Sequence, residues 1–74
     1  MIEELDRVVL EEDLPEYGLK KGDIGTAVLV HGEEGCEAEF ITLDGETVAV
    51  VTLLTSQVRP IGRGEIANAR LVMK

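Results

Sequence analysis

Seventy-four residues make one domain at most, and a chain that short hides only about 60% of the surface its unfolded form exposes, which leaves little room for a deep catalytic cleft. A hydrophobic content of 45% with 30% charged residues is the composition of a folded chain, not a disordered one. Fifteen acidic residues against seven basic give a formal charge of −8, which repels phosphate backbones at long range and counts against nucleic acid as a partner.

A first strand is expected over Leu5 to Glu11, with Arg7, Val9 and Glu11 on one side and Asp6, Val8 and Leu10 on the other. Glu11-Glu12-Asp13, Leu14-Pro15 and Tyr17-Gly18 break that pattern, because Pro15 fixes φ and biases Leu14 away from helix. A long loop punctuated by Gly18, Gly22 and Gly25 follows. Thr26 to His31 reads as a second strand, apolar on both faces: Val28 and Val30 on one, Ala27 and Leu29 on the other. His31 to Gly35 turns the chain. Cys36 to Thr42 alternates, with Cys36, Ala38 and Phe40 opposed to Glu37, Glu39 and Ile41, the period of a half-buried antiparallel strand.

Asp44-Gly45 signals a hairpin. The fourth strand is expected from Glu46 to Leu54, with Val48, Val50 and Thr52 against Ala49, Val51 and Leu53. Thr55-Ser56-Gln57 forms a single tight turn before a fifth strand, Val58 to Ile61, which Pro60 confines to an edge or to its own end. Gly62-Arg63-Gly64 then separates a β domain, residues 1–61, from a C-terminal extension, residues 62–74. Glu65 to Lys74 is compatible with a short helix in which Ile66, Ala69 and Val72 or Met73 share a face, though roughly ten residues need a docking surface to stay helical. Strand and disorder remain open for this segment.

No apolar run reaches the roughly 18 residues a bilayer span needs, and Met-Ile-Glu-Glu-Leu-Asp is acidic where a signal peptide is basic, so no membrane role is expected. The single cysteine, Cys36, excludes an internal disulfide and favours a reducing compartment, the cytoplasm.

The order of these elements is similar to that of an SH3-like barrel: five short strands, a long loop after the first, a hairpin between the third and fourth, and one turn before the last. Lys21-Gly22-Asp23-Ile24-Gly25-Thr26-Ala27-Val28 resembles the core of the KOW motif of ribosomal proteins and transcription elongation factors. More closely, Asp13-Leu14-Pro15-Glu16, Gly18 to Thr26, Glu39-Phe40, Asp44-Gly45-Glu46-Thr47, Val51-Thr52-Leu53 and Gln57-Val58-Arg59-Pro60 resemble a family of short uncharacterised bacterial proteins, a domain of unknown function. The resemblance covers about Leu5 to Ile61. It implies an all-β fold, a small five-stranded SH3-like antiparallel barrel with a short C-terminal extension, and it transfers no catalytic residue. Members can stand beside toxin-like or nuclease-like neighbours, which implies a partner-binding role.

No constellation supports catalysis. His31 lacks clustered partners for base or zinc chemistry. Cys36, sharing a face with Ala38 and Phe40, reads as a core hydrophobe with a raised pKa. Ser56 has no nucleophile-elbow context. Glu11, Glu12, Asp13 and Glu16 lack the spacing of a calcium loop and read as a solvated or partner-facing loop. Asp23 is expected to accept backbone N–H bonds within the turn between Gly22 and Gly25. Lys20, Lys21 and Arg59, with Arg63, offer at most a small basic patch. Tyr17 is the best exposed aromatic anchor, and Ile66 and Leu71 are candidate apolar contacts in the tail. The expected function is therefore a non-enzymatic binding module acting on another protein or on itself as a homo-oligomer, with no cofactor, metal or small-molecule substrate. An RNA- or ribonucleoprotein-associated KOW-like domain is the alternative.

Overall fold

Five antiparallel strands form one sheet in the computed structural model, which describes residues 2–72. They are β1 (Arg7–Leu10), β2 (Ile24–His31), β3 (Gly35–Ile41), β4 (Thr47–Leu54) and β5 (Val58–Pro60), in the order β4-β3-β2-β1-β5. The all-β, five-stranded class expected from the sequence is the one the chain adopts. The sheet is not closed: β4 and β5 are its two edges, with no ladder between them. A β5 of three residues ending in Pro60, which has no N–H to donate, offers too little backbone for closure.

Two bulges decide how doubly apolar strands bury one face. Register slips between Ala27 and Leu29 against β3, leaving Val28 as the extra residue, and between Phe40 and Ile41 against β4, leaving Val48. The first slip corrects the simple alternation expected for β2. Ala27 and Val30 both face the core, whereas Val28 and Leu29 lie outside. Val8, Leu10, Ala27, Cys36, Ala38, Phe40, Val51, Leu53 and Val58 then pack as one cluster, and Leu14 and Leu19 complete it from the long loop. Those two leucines exchange backbone bonds, Leu14 N–H to Leu19 C=O at 2.9 Å and Leu19 N–H to Leu14 C=O at 3.1 Å, so the loop after β1 is a fixed lobe.

β1 starts later than the expected Leu5, because Leu5 itself turns at φ 72 while its N–H bonds Ala27 C=O. The hairpin forms as expected: Gly45 takes φ 97, and Thr42 Oγ1 accepts the Glu46 N–H at 2.9 Å. Thr55–Gln57 is the 3₁₀ turn between β4 and β5. The helical option for the tail is not taken, since residues 62–72 contain no helix. Ile66, expected on the helical face, and Leu71, the other apolar contact expected of the tail, are 93% and 80% exposed. Met73 lies outside the described residues. No helix among the described residues is long and apolar enough to cross a membrane.

Candidate interaction surfaces

One surface is where the tail returns to the sheet. Arg59 of β5 grips Glu65 through two parallel bonds of 2.8 and 2.7 Å, and Glu65 also accepts the Gly62 N–H. This charge-assisted fork holds the Glu65 carboxyl down at about 2, through the Arg59 bonds first and the Gly62 N–H second. Further along, Arg70 donates from Nε to Asp23 Oδ1 at 2.8 Å and from its terminal nitrogen to Asp23 Oδ2 and to Gly18 C=O, the latter at 2.9 Å. Partial burial pushes Asp23 up, but the Arg70 bonds and charge, with the Lys20 N–H bond, outweigh it and leave the carboxyl below its ordinary value. Asp23 does accept a backbone N–H, but from Lys20 at 2.8 Å, ahead of the expected turn between Gly22 and Gly25. Its second role, as the anchor for a tail 47 residues away, had no local signal.

The sequence candidates are dispersed. Arg59 and Ile66 line a groove of about 460 Å³ beside Val9 and Ile24. Lys20 and Leu71 line a second, of about 270 Å³, with Arg70 and Asp13. Tyr17 and Lys21 line neither. Tyr17, 40% exposed, closes the 3₁₀ turn Pro15–Tyr17. The Lys21 N–H bonds Asp13 Oδ1 at 2.8 Å. Arg59, also 3.5 Å from Glu11, is spent on carboxylates and does not join Lys20 and Lys21 in a free basic patch. In the acidic loop Glu11 faces Arg59 and Glu12 accepts from Gln57 Nε2 at 3.2 Å, and no metal-binding group of three appears among the described residues. His31 Nε2 lies 3.1 Å from Glu37 Oε2 on the outer face of the sheet. Cys36 is buried, and burial pushes its thiol up.

The second surface is the outer side of β2, β3 and β4. Register places Glu39 between Thr26 and Val50, and Glu37 between Leu29 and Thr52. Val50 is 53% and Leu54 62% exposed, and Leu29 and Ile41 are exposed beside them. Beyond β4 the sheet stops.

Residues 4–60 match the model of a family described as a domain of unknown function, DUF4926. The chain belongs to that family. The span corresponds closely to the Leu5–Ile61 resemblance read from the sequence. No curated protein and no solved structure gives a significant match. The DUF4926 span holds all five strands, Asp23 and Arg59, and stops before Glu65 and Arg70. The sheet and one half of each ion pair are thus family territory, and the gripping half belongs to the tail.

Proposed function

We propose that the protein is a non-enzymatic binding module that works by docking a protein chain, another protein or its own copy, against β4 and the outer side of the sheet. The observation that carries this reading is the exposure of Val50 and Leu54 on an edge strand whose free side meets no other strand among the described residues. Apolar side chains grouped at an open edge are what a partner strand covers. The strand order, the long lobe after β1 and the single 3₁₀ turn before β5 support an SH3-like module; because one fold serves many functions, the binding reading rests on the open edge and not on the fold. A lone buried thiol supports a reducing compartment, the cytoplasm. The RNA-binding alternative draws less support, because Arg59 and Arg70 are committed to Glu65, Glu11 and Asp23 in a chain of net charge −8.

Affinity capture with the tagged chain tests the reading. Protein retained by the parent should be lost with the Val50→Glu, Leu54→Glu double variant and kept with Lys20→Glu, Lys21→Glu. Equal retention by all three would refute a role for the β4 side.

A further inference from the structure

The inference rests on the protein-binding reading above and names the partner. The two edges of the sheet differ in kind. β5 is three residues long, carries Arg59 and ends in Pro60, features by which natural edge strands refuse a neighbour. β4 runs Thr47-Val48-Ala49-Val50-Val51-Thr52-Leu53-Leu54, with neither charge nor proline, and its one irregularity is the bulge at Val48 near its start. Among the described residues its backbone bonds only β3, apart from the Leu54 N–H, which donates to Gln57 Oε1 at 2.7 Å.

The phase of the ladder follows from its end. Thr55 N–H donates to Glu34 C=O at 3.0 Å. Hydrogen-bonded pairs alternate along an antiparallel ladder, so Cys36–Leu53 and Ala38–Val51 are bonded pairs as well. The N–H and C=O of Val50 and Thr52 therefore point away from β3, into the space beyond the edge.

We infer that β4 pairs with β4 of a second copy, antiparallel about a two-fold axis at Val51, so that the two sheets become one. In that register Val50 lies opposite Thr52 of the other copy. Each such pair exchanges both of its main-chain bonds and sets two β-branched side chains against each other on the outer face. The bulge at Val48 and the Gln57 cap at Leu54 bound the pairing on either side and fix its register. A second copy fits better than a basic peptide because β4 presents no charge to be matched. The carboxylates of the neighbouring strand, Glu37 and Glu39, stand one strand back, Glu37 beside His31 and Glu39 accepting from Thr47 Oγ1. In the paired form the two β3 strands are three strand spacings apart, about 14 Å, which exceeds the screening length of about 8 Å at physiological salt. The chain's own tail is committed elsewhere, to Arg59 and Asp23. A single strand pairing is a small interface, so the dimer dissociates on dilution.

Amide hydrogen exchange of the full chain, followed across a dilution series, tests the pairing. A population about nine-tenths paired slows exchange about tenfold. The Val50 and Thr52 amides should therefore slow about tenfold from dilute to concentrated protein, while Val51 and Leu53, bonded to β3, stay constant and report an intact fold. Thr52→Pro, which removes one outward N–H and spares the β3 ladder, should abolish the concentration dependence at Val50 with Val51 and Leu53 still protected; Thr52→Lys is the second variant should proline disturb the strand. Fast exchange at Val50 and Thr52 at every concentration would overturn self-pairing, and so would a dimer in which these two amides stay fast. The docking reading would survive either result if a captured protein slows the same two amides, and it falls only if capture is indifferent to Val50 and Leu54.

Discussion

Gly25 in β2 is predicted to be intolerant of even one added methyl group. It pairs with Val8 of β1, and a Cβ built on its backbone would lie 2.7 Å from Phe40 Cε2 and 2.9 Å from Cδ2 and Cζ. Carbon contacts are comfortable at about 3.5 to 4.0 Å, so the shortfall is close to 1 Å. Phe40, 2% exposed, is wedged in the core and cannot yield without displacing its neighbours. The backbone at Gly25 is not in the left-handed region, so the penalty is steric. Overpacking of this kind costs about 1 to 3 kcal/mol, against about 0.4 to 1 kcal/mol recovered from the stiffer unfolded chain. The mid-range values, about 2 less about 0.7, leave about 1.3 kcal/mol, so at about 4 to 8 °C per kcal/mol for a domain of this size Gly25→Ala should lower the melting midpoint by about 5 to 10 °C. Adding Phe40→Leu, which withdraws the ring, should restore part of the loss, with a coupling of about 0.5 to 3 kcal/mol in the double-mutant cycle. Circular dichroism melts of the four proteins decide it. An alanine variant as stable as the parent, or strictly additive effects, would refute the reasoning.

The tail clamp should be acid-labile. Glu65 titrates at about 2 in the folded chain against an ordinary 4.5, and Asp23 titrates below its ordinary 3.8, so their stabilisation of the docked tail is complete above about pH 4.5 and is lost as pH falls toward 2. Chemical shifts of Ala67 to Arg70 should move with that titration, and a flat profile would contradict it. Arg70→Gln should release the tail at neutral pH while leaving the sheet amides protected, a result read in the same spectra. Cys36 should react slowly with a thiol reagent in native buffer and fast in denaturant, since its sulfur is buried and its thiol is pushed up; rapid native labelling would place it outside the core.

The strands were legible because local chemistry and tertiary demand agree there. Alternation through Cys36–Ile41 and the Asp44-Gly45 turn leave one consistent pairing, and Pro60 marks an edge on its own. The two bulges were not legible, because an extra residue at Val28 or Val48 is an apolar residue among apolar residues and shows only in the register. Leu5 looked like strand until its positive φ turned it out of line. The tail misled for a different reason: the spacing of Ile66, Ala69 and Val72 suggests a helical face, but the segment contains no helix and is tied to the sheet through Arg59–Glu65 and Arg70–Asp23. Arg70–Asp23 couples residues 47 positions apart, which no window on the sequence contains.

The central structural claim is that the open edge at β4 pairs with β4 of a second copy, and molar mass in solution tests that most directly. Light scattering across a range of protein concentrations should show a mass rising toward twice the 8.0 kDa of one chain, with Thr52→Pro remaining at a single chain's mass throughout. A parent that stays at 8.0 kDa at every concentration, or a Thr52→Pro variant that associates as the parent does, would contradict it.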